Sequence, residues 1–519
     1  MKKAEKTICF DLRFGGKRCG SSWARIIESN NDGMIIDCRQ VMLDLDAANV
    51  RRSRRQSSYA FHENGDLVSA RIKDHLGNRI AMEFEPGKMI IGDQSRSIAE
   101  PITFVLEQNM VALTVALLTG RKIAGDMSFV ALLPETGTVL DFTIKSDGTG
   151  YRSNMGETFF LGPSGEIESV IPSASDFVFE RIARKFPSWS LDVPRAVLEY
   201  RPPDHIRVQE KEFGMGGNHA PVRAATLARP KNKNQIIAAG VFVGGSGVYN
   251  RHGITAGFDI GYHQLLDDLA AAGIASIRYE KFDPRAANLE EAEGEQGFED
   301  LCNQAACGLD WVSGQAWAKA RSRIAIGHSL GGLVALALAG RANDLDAIVL
   351  LNTPGRIFRD VTRSQHGWFL QQSDTSAEAT KESDALRRKL ISALEDEAEW
   401  TPETVDGRIL AFKRKRKLYR DILDLDPCAL IDQGTCPIII VQGLTDVQVS
   451  TNDAQILAQA CDKAKRPCRL LLADGLDHLL KRNTETGFKA LRNYRDRRRR
   501  IPVALIRQIA KAIGQSVPS

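Results

Sequence analysis

The chain has 519 residues, 43% of them hydrophobic and 26% charged, with a net charge of +4. That length exceeds one ordinary core, so two domains are expected; the near balance of charge argues against a whole-molecule field aimed at nucleic acid or a membrane. The nine cysteines are scattered without metal-ligand spacing, which gives no disulfide framework and points to reduced thiols in a cytosol.

The first segment, "MKKAEKTICFDLRFGG", reaches Asp11 and Arg13 before any long apolar stretch, so a signal peptide is not expected. Residues 1–203 read as a β-rich domain. Four short runs between Ser57 and Gly92 are separated by turn-forming clusters at Glu63–Asp66, His75–Asn78 and Glu85–Lys88. Next comes the most apolar stretch, "ITFVLEQNMVALTVALLTG" (102–120), opened by Pro101, closed by Gly120 and carrying Glu107, Gln108 and Asn109. Those polar residues predict a buried helix rather than a membrane span. "MSFVALL", "TVLDFTI", "ETFFLG" and "EIESVI" continue an antiparallel meander whose closure, as barrel or sandwich, the pattern leaves open. Pro202-Pro203 marks a linker.

From residue 204 the grammar changes. "IIAAGVFV" (236–243) is continuously apolar, as a strand buried on both faces of a parallel sheet should be. "YHQLLDDLAAAG" predicts a helix ended by Gly273, and "IASIRY" the next strand. The alternation continues through "RIAIG", "AIVLLN" (347–352), "PIIIVQG" (437–443) and "CRLLLADG" (468–475). Residues 204–519 are therefore expected to form an α/β domain with a mostly parallel sheet. More than eighty residues between Asn352 and Pro437 cannot belong to that sheet. They predict a helical cap over about 356–425, in which Trp368 and Phe369 bind substrate.

"IAIGHSLGG" (324–332) sets a serine between two glycines where a strand passes into a small-residue helix. That context turns a weak Gly-x-Ser-x-Gly motif into a nucleophile elbow, with Ser329 exposed at the sheet's carboxyl edge. A serine needs a base, and the base an orienting carboxylate, in the chain order Ser, acid, His. Only His366 and His478 lie downstream; His366 falls in the cap, so His478, after the last apolar strand, is the base. Asp446 follows the strand "PIIIVQG" and is preferred as the acid over Asp474 and Asp477, which sit too near His478 in sequence. Oxyanion donors are expected from the backbone N–H of Leu330 and of Ser246 in the loop "GGSG", with Gly245 as the alternative.

Taken together, "GGSGVYNRHG", "LLDDLAAAGIASIRY", "GHSLGG", "LDP", "VQGLTDVQV" and "GLDH" resemble the α/β-hydrolase superfamily over roughly 205–515. The subgroup resembled is that of bacterial serine esterases and serine-aminopeptidase-like hydrolases, with residues 1–203 similar to the β-rich extensions of some esterases. The resemblance implies Ser329 as nucleophile, Asp446 as acid and His478 as base. Two positions depart from it: Gly244 replaces the usual histidine, and "EKFDPRA" replaces an Asp-x-Arg-Gly. The expected activity is a cytoplasmic serine carboxylesterase working through an acyl-enzyme on a small-molecule ester. Acyl transfer, or amide or thioester hydrolysis, is the alternative use of the same triad. No cofactor or metal is expected, nor a nucleic-acid or membrane partner; a homodimer is a possible assembly. The basic runs "RRSRR" (51–55), "KRKRK" (413–417) and "RDRRRR" (495–500) are expected on solvated faces.

Overall fold

The computed structural model describes residues 5–189, 201–281, 296–372 and 416–518, short loop stretches aside. The described residues fall into two compact units, one within Met1–Val197 and one over Leu198–Asp283, Ala292–Thr375 and Lys415–Ser519. Among the described residues no helix is long and apolar enough to cross a membrane.

The first unit is a single fifteen-stranded sheet. Neighbouring strands are antiparallel throughout, except that Phe104–Val105 runs parallel to Met127–Leu133. The strand Glu5–Phe14 pairs on one side with Lys17–Ser29 and on the other with Phe177–Arg181, joining the two ends of the unit. The stretch 102–120 is not one helix. Phe104–Val105 is a strand, and the helix begins only at Val111, after the polar Glu107–Asn109 interruption. This helix, Val111–Gly120, is buried from Ala112 to Leu118, and its Ala112 N–H donates to Ser22 Oγ. A helix apolar on every side has to be enclosed, which explains why its sequence has no polar face.

The second unit carries an eight-stranded sheet, whose strands are numbered here from its start. They are β1 Ile206–Gly214, β2 Val222–Pro230, β3 Ala238–Val243, β4 Ile274–Tyr279, β5 Ser322–His328, β6 Ala347–Leu351, β7 Ile438–Gly443 and β8 Cys468–Ala473. Their order is β1-β2-β4-β3-β5-β6-β7-β8. All pairs from β4 to β8 are parallel, while β1 and β2 add an antiparallel edge that the sequence pattern did not reveal. Strands β3, β4, β6 and β7 are buried at every residue.

Helices cover both faces of this sheet. Tyr262–Ala271 (α1) and Val503–Ser516 pack with one apolar cluster. Phe298–Ser313 (α2), Leu330–Arg341 (α3) and Thr451–Lys463 pack with the other. Of the expected cap, Phe358–Gln372 (α4) and Arg416–Ile422 are helical; most of 373–415 lies outside the described residues.

Candidate active site

Ser329 stands between β5 and α3 with φ of 53°, a left-handed backbone that a side chain adopts only when its surroundings enforce it. Two contacts do so: the Ser329 N–H donates to Leu351 O at 2.8 Å, and its carbonyl accepts from Gly332 N at 2.9 Å. The flanking glycines are obligatory. A Cβ on Gly327 would lie 2.1 Å from Gly331 O, and one on Gly331 would lie 2.1 Å from Val243 O. The chain therefore crosses itself at van der Waals limits and lifts Ser329, half-buried, off the carboxyl edge of the sheet.

His478 and Asp446 meet. The His478 Nδ1 and Asp446 Oδ2 lie 2.7 Å apart, with both side chains almost wholly buried. The other carboxylate oxygen accepts from Gln448 N at 2.7 Å and Val449 N at 3.0 Å, so it is fixed by its own loop. With Nδ1 donating to the carboxylate, Nε2 is the ring nitrogen able to take a proton. Asp474 is exposed. Asp477 is buried but committed elsewhere. It accepts from Leu479 N and Lys481 N at 3.0 and 3.2 Å, from Asn483 Nδ2 at 3.0 Å, and from the Arg499 guanidinium.

A continuous hydrogen-bond chain runs beneath Ser329. His328 Nε2 lies 2.7 Å from the His478 carbonyl and must carry the proton; its Nδ1 therefore accepts from Tyr262 Oη at 2.8 Å. Tyr262 Oη in turn accepts from Gly245 N at 3.1 Å. Burial, together with the charges of His478 and Lys281, pushes the His328 imidazole down to about 3, so it stays neutral. The His328 and His478 rings stand 4.9 Å apart. One end of this chain is the loop expected to supply an oxyanion donor, and the other is the loop of the expected base.

The Gly244–Gly247 loop is pressed against the elbow: a Cβ on Gly245 would come 3.1 Å from Ser329 Cβ. Lys281 ties the loop down, its Nζ donating to Gly245 O at 2.7 Å and Gly247 O at 3.2 Å. Gly245, the alternative oxyanion donor, spends its N–H on Tyr262. Ser246 is exposed at the loop tip, and Leu330 opens α3, where a first-turn N–H has no intrahelical acceptor.

Several residues that sequence reasoning did not single out hold this geometry. Asn352, wholly buried with φ of 45°, donates through Nδ2 to the carbonyls of Asp477 and His478 at 3.0 and 2.9 Å. Its Oδ1 accepts from Gly443 N at 2.8 Å, so one amide bridges the end of β7 to the His478 loop. The run 495–500, expected on a solvated face, is partly inward. Arg499 pairs with Asp477, beside His478, and its side chain is 10% exposed. Trp368 is half-buried on α4; the side chains of Phe369 and His366 lie outside the described residues. Among the described residues no group of three or more His, Cys, Asp or Glu is arranged to hold a metal.

Residues 241–480 match the sequence profile of the alpha/beta hydrolase family, and with the sheet order and elbow above they form an α/β-hydrolase domain. Among characterised proteins, the chain is 25% identical over 294 residues to esterase EstD of Thermotoga maritima. That match takes in 54% of this chain and 63% of that esterase, less than two thirds of its length. Among solved structures, an esterase of Pyrococcus furiosus aligns over 63% of this chain and 97% of its own, with 12% identity and a TM-score of 0.39. A puromycin-hydrolyzing peptidase of Mycobacterium tuberculosis aligns over 95% of this chain and 69% of its own, with 14% identity and a TM-score of 0.39.

Proposed function

We propose that the protein is a serine hydrolase that cleaves a carboxylic ester through an acyl-enzyme. The observation that carries this reading is the buried His478–Asp446 pair at 2.7 Å, in a unit where Ser329 is lifted from the sheet by its elbow. His478 Nε2 takes the Ser329 proton as Oγ attacks the ester carbonyl, and Asp446 stabilises the imidazolium that results. The backbone N–H groups of Leu330 and Ser246 receive the developing oxyanion, each contributing about 3–4 kcal/mol. The alkoxide then leaves with the proton from His478. Water, deprotonated by the same imidazole, attacks the acyl-enzyme and releases the acid. In this reading Trp368 and Phe369 contact the acyl or alcohol portion from a cap over 356–425, and the unit before residue 204 supplies no catalytic group. EstD's name as an esterase supports the same substrate class.

The direct test is Ser329→Ala, assayed on a minimal aryl ester alongside labelling by a fluorophosphonate. Turnover is expected to fall roughly 10⁴- to 10⁶-fold with the fold retained, and the reagent to label Ser329 alone. Labelling at another residue, or turnover within an order of magnitude of wild type, removes the nucleophile assignment.

A further inference from the structure

The β-rich unit contains a cavity of about 300 Å³ that the proposed reaction does not use. Its wall includes Arg18, Ser21, Trp23, Val41, Arg54 and Trp189. Ser21 pairs in register with Val41, and Val41 with Arg54, so these three side chains stand in one row across three strands. The helix Val111–Gly120 docks on Ser22, whose side chain points the other way, so the cavity occupies the sheet face opposite that helix.

Among the described residues, guanidiniums outnumber carboxylates on this face. The Asp11 carboxylate serves both Arg18, at 3.0 Å, and Arg184, at 3.2 Å; Asp37 takes Arg25 at 2.9 Å. Arg39 bonds only carbonyls among its recorded polar partners, Trp189 O at 3.2 Å and Cys38 O at 2.9 Å. The Arg54 guanidinium sits 5.4 Å over the Trp189 ring and Arg39 lies 5.7 Å from it. Among the described residues, the ion pairs of Arg18, Arg184 and Arg25 named here thus fall on two carboxylates. Trp23 is only 8% exposed, and among the described residues its buried indole N–H has no acceptor. A space of this size admits one small ring system rather than a polymer.

We infer that this cavity binds a small organic anion with a flat apolar body, its carboxylate or phosphate taken by Arg54 and Arg18 and its body lying on Trp189 and Trp23. Guanidinium forks match both oxyanions bidentately, and indole faces accept a flat ring. This also gives the basic run 51–55 a role: Arg55 turns inward to pair with the buried Glu107, whereas Arg54 turns to the cavity. The inference is independent of the hydrolase reading.

Calorimetric titration of the full chain with 2-naphthoate, 2-naphthyl phosphate and neutral 2-naphthol tests it. At least one anion should bind saturably and at least roughly tenfold more tightly than the naphthol; whichever anion binds more tightly supports the site and assigns its headgroup. Arg54→Gln should weaken that binding by about tenfold or more with the thermal midpoint kept, and Trp189→Ala should do the same. Should Trp189→Ala unfold the unit, Arg18→Gln replaces it. Equal binding of naphthol and both anions, absence of saturable binding, or unchanged affinity in Arg54→Gln overturns the inference.

Discussion

In the eight-stranded sheet the strands β3, β4, β6 and β7 are buried residue after residue, whereas a strand of the fifteen-stranded sheet such as Ile167–Ile171 mixes buried and exposed positions. The difference dictates where each unit can carry chemistry. A parallel sheet covered on both faces exposes only its strand ends, so functional groups collect within a few residues of those ends. Ser329, Asn352, Asp446 and His478 all follow β5 to β8 in this way. An antiparallel sheet offers a face along its whole length, so a site there draws on mid-strand residues two apart and far apart in sequence. Ser21, Trp23, Val41 and Arg54 of the proposed cavity are such a set.

The comparison is broken most directly at the acid. Asp446→Asn keeps the shape of the side chain but removes the charge that stabilises the imidazolium, and kcat on a simple ester is expected to fall about 10⁴-fold. Asp474→Asn, at an exposed position, should leave kcat nearly unchanged; the reverse ranking would move the acid to another loop. The β-rich unit should respond through stability instead. Glu107 is buried, accepts from Ser57 Oγ at 2.6 Å and from Tyr59, and pairs with Arg55. Glu107→Ala strands that guanidinium and should cost the unit about 3–5 kcal/mol in denaturant titration, while ester turnover below the transition is kept. Asn352→Ala sharpens the contrast on the hydrolase side. Losing the bridge between Gly443 and the histidine loop should lower kcat about 10- to 100-fold with KM little changed, read from steady-state kinetics.

The most gradual expected effect is the pH response of His328, spread over several pH units. Its folded value of about 3 lies below the ordinary 6.5, so its contribution to stability is complete above 6.5 and is lost as pH falls towards 3. Across that window the wild type should lose up to about 1.4 kcal/mol per pH unit from this group. Denaturant midpoints measured in parallel on His328→Gln should lack that share of the slope.

The strand ends were legible because each triad candidate lies beside an apolar run that announces a buried strand. Distance in sequence hid the rest. Nothing near Tyr262 or Lys281 signals a role, since each acts through one hydrogen-bonding atom on a loop far along the chain. Asn352 was read only as the last residue of an apolar strand, although its amide is what the bridge requires: a donor and an acceptor on one short side chain. In the first unit the turn clusters marked the strands between Arg52 and Ile91 well. Apolarity alone merged Phe104–Val105 with the helix that follows, because a fully enclosed segment has no periodicity to separate strand from helix.

The pairing of Glu5–Phe14 with Phe177–Arg181 has a consequence for biosynthesis. The first strand of the β-rich unit cannot complete its ladder until the last has left the ribosome. At roughly 5–20 residues per second, one edge stays open on the order of ten seconds or more. Local hairpins form early, but the pairing of these two strands comes last, and its loop entropy is among the largest the unit meets.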